Sequence, residues 1–190
     1  MPVLTRKLIQ ESFLKLASQR PVDKITVKDI VDDCKINRNS FYYHFEDMPN
    51  LIELTLEEAM LDVLNSRPAG SLQELFNGVF DVFEQYESVV RNVYYSKHRD
   101  IVEYKTLAIA DTLVSRYLQE NYFSGAGLDP LDEQVIVRYY KCFIVGQLIE
   151  WMTNGSRYDI RKEFERLCTL REGTLEAMIE KAKQSRKTSA

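Results

Sequence analysis

The segment from Asp132 to Asn154 constrains the fold more than any other part of the sequence. Its predicted helix carries thirteen apolar or aromatic residues, and they lie on every side of the helical wheel. A helix that is apolar all round must be buried all round. One side can pack within its own domain and the other against a second copy of the chain, so the segment predicts a dimer. The alternative is the central helix of a monomer.

The rest of the sequence has the same helical character. Only 7 Gly and 5 Pro occur in 190 residues, which is few for a turn-rich all-β fold. Apolar residues recur at helical spacing, as Ile9, Phe13 and Leu16 do in the first predicted helix. We therefore predict an all-α fold with a break at Ser66–Ser71. The predicted helices cover residues 5–19, 26–34, 38–45, 47–64, 72–86, 88–96, 100–121, 132–154 and 160–183.

Two short helices near the N-terminus are predicted to form a helix-turn-helix. They cover residues 26–34 and 38–45, and three residues separate them. Thr26 is placed to cap the first helix, with Asp29 completing a capping box, and Asn37 is placed to cap the second. This arrangement is typical of a motif whose second helix enters the major groove of DNA.

The second helix of this motif has one apolar and one polar face. Phe41 and Phe45 are four residues apart and are predicted to face the core, whereas the remaining side chains point outward or sideways. Those side chains offer the hydrogen-bond donors that phosphates and base edges accept. They are Arg38, Asn39, Ser40, Tyr42, Tyr43 and His44. The alternative is a solvated amphipathic helix without a ligand.

Charge places any DNA-binding surface in the first fifty residues. The chain has a net charge of −4, but residues 1–50 carry eight Lys and Arg against seven Asp and Glu, and the remainder carries seventeen against twenty-two. The first part is therefore mildly basic and the second acidic. We predict a DNA-binding domain over residues 1–50 and a dimerisation and ligand-sensing domain over residues 51–190.

The stretch from Ile25 to Phe45 strongly resembles the TetR family of bacterial transcriptional regulators, above all in the run Phe-Tyr-Tyr-His-Phe at 41–45. The resemblance implies an all-helical homodimer with a helix-turn-helix head, which binds a palindromic operator in double-stranded DNA. Carried over by position, it implies DNA contacts from Thr26, Lys28, Arg38, Asn39, Ser40, Tyr42, Tyr43 and His44. Two departures stand out, because Lys35 occupies a turn position that is usually Gly, and Glu46 and Asp47 replace lysines common in relatives.

The C-terminal part is predicted to supply the dimer interface and an effector pocket. The segment Phe143–Gly155 resembles a TetR subgroup related to regulators of dihydroxyacetone kinase operons. The predicted interface residues are Ile136, Tyr140, Phe143, Leu167 and Leu175. An aromatic cluster could hold a small apolar or aromatic effector, or it could be plain core. Its members are Phe80, Phe83, Tyr86, Tyr94, Tyr104 and Tyr117.

Other function classes find little support in the sequence. The two histidines, His44 and His98, lie in different predicted domains, and no Cys or His pair has metal-ligand spacing. We therefore predict no catalytic site, no metal and no cofactor. The absence of a long apolar run or a signal-like N-terminus predicts a cytoplasmic protein.

Three hypotheses for function remain. The first is a repressor that an effector releases from DNA or repositions on it. The second is a regulator controlled by a protein partner rather than a small molecule. The third is a helical dimeric interaction protein that no longer reads DNA.

Overall fold

A computed structural model describes residues 2–65 and 70–188 of the protein. These residues form helices joined by turns and loops, with no strand among them. This confirms the all-α prediction. Residues 66–69 of the predicted break lie outside the described residues. The ten α-helices in these ranges are α1 (Pro2–Gln19), α2 (Val27–Cys34), α3 (Arg38–His44), α4 (Met48–Leu64), α5 (Leu72–Gln85), α6 (Glu87–Tyr94), α7 (Arg99–Leu118), α8 (Pro130–Thr153), α9 (Ile160–Leu170) and α10 (Thr174–Thr188).

The single helix predicted over residues 160–183 is wrong, because the chain forms two helices there. Helix α9 ends at Leu170 and α10 begins at Thr174. Between them Gly173 has a φ of +77°, a left-handed conformation that glycine adopts at little steric cost. The sequence signal for this break was the glycine itself, since glycine is common just beyond the ends of helices.

The chain divides into two compact units, and the division does not follow the predicted boundary at residue 50. The head unit comprises residues 1–63 and 82–106, and the body unit comprises residues 64–81 and 107–190. Helix α6 joins the head because the Asn92 amide donates to the Ala17 carbonyl oxygen at 2.7 Å.

The start of α7 is likewise tied to the head unit through α4. The Lys105 ammonium lies 2.9 Å from Glu53 Oε1 and 3.0 Å from Glu57 Oε2. These two carboxylates raise the pKa of Lys105 despite the opposing effect of burial. The head unit that contains the helix-turn-helix therefore also includes α6 and the start of α7.

The core of the body unit is aromatic. Phe76 and Phe164 stack with ring centroids 3.7 Å apart, and Phe80 meets Trp151 edge to face at 5.1 Å. The Trp151 indole N–H donates to the Tyr158 carbonyl oxygen at 3.0 Å, so this buried polar group is satisfied. Helix α8 therefore has one face in the core of its own unit.

None of the helices in the described ranges combines the length and apolar character needed to cross a membrane.

Candidate nucleic-acid interface

Helix α2 begins with the predicted capping box. The Thr26 hydroxyl accepts from the Asp29 amide at 3.3 Å, and the Thr26 amide donates to Asp29 Oδ2 at 2.8 Å. These hydrogen bonds, together with Arg20 at 3.2 Å, lower the pKa of the Asp29 carboxyl from 3.8 to about 2. Asp29 therefore stays ionised, and the start of α2 stays fixed, throughout the neutral range.

The turn between α2 and α3 contains the left-handed residue that its position requires. Lys35 has φ 56° and ψ 42°. The Ile36 amide then donates to the Val31 carbonyl oxygen at 3.0 Å. The Asn37 side chain accepts from the Ser40 amide at 2.8 Å, which confirms Asn37 as the N-cap of α3. The angle at which α3 leaves the turn is set by these contacts.

The side chains of α3 divide between core and solvent as predicted. Phe41 and Phe45 are 0% and 1% exposed, and their ring centroids lie 5.8 Å apart. Tyr43 is 76% exposed, although its neighbours on either side are phenylalanines two residues away. The helix thus anchors itself with two rings and leaves its polar side chains on the surface.

Two of the eight predicted DNA-contact residues already use their hydroxyl hydrogens within the head. The Thr26 hydroxyl donates to Asp29 Oδ2 at 2.7 Å, and the Ser40 hydroxyl lies 3.1 Å from Asn37 Oδ1. Both hydroxyls therefore hold helix caps, and sequence reasoning had not separated this role from DNA contact.

The other six predicted residues have side chains that a duplex could reach to different extents. His44 is half-buried, with its ring edge-on to Tyr43 at 4.9 Å. The remaining five are exposed at the surface of the head. They are Lys28, Arg38, Asn39, Tyr42 and Tyr43.

The cations of residues 1–50 fall into two groups. The first group is paired with acids of the same unit, and it comprises Arg6 with Glu58, Lys7 with Glu11 at 3.9 Å, Lys15 with Asp33 at 2.5 Å, and Arg20 with Asp29 at 3.2 Å. The second group has no ion pair among the described residues, and it comprises Lys24, Lys28, Lys35 and Arg38. The free positive charge of this segment therefore lies on and beside the helix-turn-helix.

Replacing Lys35 by glycine is expected to stabilise the protein. A left-handed residue with a Cβ costs about 1–2 kcal/mol, whereas the extra backbone entropy of glycine costs about 0.5–1 kcal/mol. Lys35→Gly should therefore raise the free energy of unfolding by about 0.5–1 kcal/mol, measured by urea denaturation. Lys35→Ala is the matched control, since it removes the charge and keeps the Cβ. Equal stability of the two variants would contradict the strain argument.

The six predicted pocket residues are divided between the two units. Phe83, Tyr86, Tyr94 and Tyr104 belong to the head unit, and Phe80 and Tyr117 to the body unit. Tyr104 is 69% exposed, so it is not part of an enclosed site. Phe80 packs in the body core against Trp151. Tyr117 alone of the six lines the body cavity described below.

The predicted interface residues also need correction. Ile136, Tyr140 and Leu175 are buried by the chain's own residues, so they do not provide an external contact surface. Phe143 and Leu167 are half-buried, and Phe143 packs on Phe164 with centroids 5.7 Å apart. The exposed side of α8 is instead formed by Leu131, Val135, Tyr139 and Cys142.

Both parts of the chain match family models. Residues 12–54 match the model of bacterial regulatory proteins of the tetR family. Residues 70–173, more than half of the chain, match a TetR-type transcriptional regulator C-terminal region. The chain belongs to the TetR family of bacterial transcriptional regulators. This TetR membership confirms the predicted resemblance, the DNA-binding helix-turn-helix, and a regulator rather than an enzyme.

Curated relatives within the TetR family match over part of the chain. One is an uncharacterised helix-turn-helix transcriptional regulator, YxbF of Bacillus subtilis, 33% identical over 58 residues. Another is DhaS of Lactococcus lactis, an activator of the dhaKLM operon, 29% identical over 63 residues. The matches cover 30% and 33% of this chain and only 15% and 34% of those two relatives.

Solved structures of TetR-type regulators share the fold over nearly the whole chain. The dihydroxyacetone kinase operon activator DhaS has a TM-score of 0.71 at 18% identity, covering 95% of this chain and 97% of its own. A TetR-family regulator from Streptomyces coelicolor has a TM-score of 0.63 at 16% identity, covering 93% and 90%. NalD, the secondary repressor of the MexAB-OprM efflux pump in Pseudomonas aeruginosa, has 0.58 at 17%, covering 94% and 96%.

Proposed function

We propose that this TetR-type regulator binds a palindromic operator as a homodimer and is released or repositioned by a small-molecule effector. The observation that carries the proposal is the surface of α3. There Arg38, Asn39 and Tyr43 are exposed while Phe41 and Phe45 anchor the helix beneath them. A recognition helix needs this combination, because its exposed side chains must contact base edges while its buried side chains hold the helix in a fixed position on the head.

The exposed residues suit different parts of the duplex. Arg38 and Asn39 lie in the first turn of α3, the end of a recognition helix that contacts base edges. Arginine pairs with guanine and asparagine with adenine through two hydrogen bonds each. Tyr42 and Tyr43 can donate to phosphates, and Lys28 can neutralise one at the start of α2. Thr26 supports this contact by holding the cap rather than by donating its hydroxyl.

A second copy of the chain is the proposed occupant of the exposed face of α8. Val135 and Tyr139 are 50% and 45% exposed, one helical turn apart. Leu131 precedes them by a turn and Cys142 follows, so an apolar stripe runs along one side of the helix. A two-fold axis beside this stripe would bury it against its own copy. Two heads about 34–36 Å apart would then reach successive major grooves of a palindrome.

The two alternative functions predict different binding behaviour. A regulator controlled by a protein partner would bind its operator and respond to no small molecule. A protein that no longer reads DNA would dimerise without shifting its operator. DhaS is described as an activator and NalD as a repressor, so this fold serves either direction of control. Where the operator lies relative to the promoter would decide the direction here.

Tyr43→Ala is expected to weaken operator binding at least tenfold without lowering thermal stability. A hydrogen bond to a charged group contributes about 1.5–3 kcal/mol, and a ring that is 76% exposed contributes little to the core. The measurement is a mobility shift on the upstream region of the gene at fixed salt, together with the melting temperature.

Tyr104→Ala is the matched control for this experiment. Its ring is 69% exposed in the same head unit but lies on α7, so operator binding should be unchanged. If Tyr43→Ala bound the operator as tightly as the unmodified protein, or if its melting temperature fell strongly, Tyr43 would not be a DNA-contact residue. Failure of the unmodified protein to shift any upstream fragment would favour the interaction protein.

A further inference from the structure

The body unit contains a cavity of about 300 Å³ at the break between α9 and α10. Its volume lies at the lower end of the range for small-molecule sites, about 300–1,000 Å³. Tyr140 and Phe143 of α8 form one wall, and Leu167 and Cys168 of α9 form another. The residues of the break, including Arg171, close one end. We call it the Arg171 cavity.

The walls of the Arg171 cavity favour a flat apolar ligand. Tyr117, Tyr122, Tyr140 and Phe143 present aromatic rings to it. Tyr117 and Tyr122 lie edge to face, with centroids 5.9 Å apart. Burial raises the pKa of both Tyr117 and Tyr140, so their hydroxyls remain neutral donors. Aromatic walls of this kind suit a single planar ring with one polar group.

Arg171 supplies a cation that forms no ion pair with an acid of the described residues. Its guanidinium carbon lies 4.8 Å from the Phe143 ring centroid and 5.1 Å from that of Tyr140. One of its nitrogens lies 3.4 Å from the Tyr140 hydroxyl oxygen. A guanidinium has five N–H donors in a fork that matches a carboxylate. Aromatic rings contact the cation, and no acid of the described residues accepts from its N–H donors.

Two acids at the rim restrict which anion can enter. Glu172 and Glu176 also line the cavity and are exposed, and the Tyr122 hydroxyl lies 3.4 Å from Glu176 Oε1. Together they give two negative charges against the single positive charge of Arg171. A phosphate or a dicarboxylate carries a second negative charge that has no cation to pair with and that Glu172 and Glu176 repel, whereas the charge of a single carboxylate can pair with Arg171.

We propose that the Arg171 cavity binds a small aromatic monocarboxylate, with its carboxylate on Arg171 and its ring between Tyr117, Tyr140 and Phe143. The inference rests on the proposed function, for which this ligand is the effector. Arg171 also lies 5.2 Å from the ring centroid of Tyr139, on the exposed face of α8. A carboxylate that draws the guanidinium into the cavity removes its contact with Tyr139. Ligand binding and packing of that face are therefore coupled, and the coupling is reciprocal.

Three probes of similar shape test the charge requirement by isothermal titration calorimetry on the full chain at neutral pH. The probe 4-hydroxybenzoate should bind. The neutral 4-hydroxybenzamide should bind at least about tenfold more weakly, because it lacks the charge-assisted pair with Arg171. Terephthalate, a dianion, should also bind more weakly because of Glu172 and Glu176.

Variants test the place of binding. Arg171→Gln should lose the preference for 4-hydroxybenzoate over the amide, and Arg166→Gln, an exposed arginine of α9 outside the cavity, should keep it. Cys168→Leu adds bulk to the cavity wall and should weaken all three probes while leaving the charge in place. Circular dichroism melting curves check that each variant is folded.

The outcomes separate this inference from the proposed function. No binding of 4-hydroxybenzoate, equal binding of acid and amide, or a preference that survives Arg171→Gln would each overturn it. A mobility shift is run on the same preparation. If the protein shifts its operator but binds no carboxylate, the DNA-binding proposal stands and the ligand proposal is wrong. If it binds the carboxylate but shifts no DNA, the ligand proposal stands and the proposed operator binding is wrong.

Discussion

Phe41→Ala is expected to lower the free energy of unfolding by about 3–5 kcal/mol and to abolish operator binding. The Phe41 ring is fully buried and lies against Phe45 and Tyr42, with centroids 5.8 and 5.3 Å away. Its loss leaves a cavity under a helix of only seven residues, which is too short to persist without tertiary packing. Urea denaturation followed by circular dichroism and a mobility shift would measure both effects.

The neighbouring residue provides the control for this prediction. Tyr42 is 52% exposed and its ring meets that of Phe41 edge to face, so Tyr42→Ala should lower the free energy of unfolding by only about 0.5–1.5 kcal/mol. It should nonetheless weaken operator binding. If Phe41→Ala melted like the unmodified protein, or if Tyr42→Ala unfolded, the assignment of inner and outer faces of α3 would be reversed.

Val135→Asp is expected to convert a dimer into a monomer and to reduce operator affinity by about 10²–10⁴-fold. The substitution places a carboxylate in the centre of the exposed apolar stripe of α8, where a second copy would have to bury it. A dimer holds its second head near its half-site at high effective concentration, and a monomer loses that advantage. Sedimentation velocity gives the oligomeric state, and a titrated mobility shift gives the affinity.

The same face offers a native reporter of dimerisation. Cys142 is exposed about two turns after Val135, so a short bismaleimide should join two copies in a Cys34→Ser, Cys168→Ser background. Leu107→Asp is the control, because Leu107 is an exposed apolar residue of the same unit on α7. If cross-linking persisted in Val135→Asp, or if Leu107→Asp also became a monomer, the dimer interface would lie elsewhere.

The helix-turn-helix could be predicted because its determinants are local. A cap interacts with the amide three residues later, as Thr26 does with Asp29 and Asn37 with Ser40. Two phenylalanines four apart share one face of a helix. Neither relation needs knowledge of the rest of the chain, so the burial of Phe41 and Phe45 follows from the sequence. What the sequence did not reveal is that the Ser40 hydroxyl also bonds to the Asn37 cap, and that capping occupies the same Thr26 hydroxyl that was expected to contact DNA.

The body unit was harder to predict because α8 is apolar on every side. Such a helix has no polar face to mark which side points away from its own unit, so the sequence did not show that Ile136 and Tyr140 are buried while Val135 and Tyr139 are exposed. The residues of the predicted aromatic pocket are divided between the two units for a related reason. Spacing along one helix does not tell which helices meet, and Tyr104 and Tyr117 belong to different units despite sharing α7.

The pairing of cations in the head has a consequence for the behaviour of the protein on a chromosome. Affinity for DNA of any sequence increases with each phosphate that the protein neutralises. Each such contact contributes about −0.9 to the slope of the logarithm of the binding constant against the logarithm of the salt concentration. Among the eight cations of residues 1–50, only Lys24, Lys28, Lys35 and Arg38 form no ion pair with a described residue. Dwell times on unrelated sequence should therefore be brief. Few molecules would be sequestered among the roughly 10⁶–10⁹ competing sites of a genome, and a low cellular copy number would suffice to occupy one target.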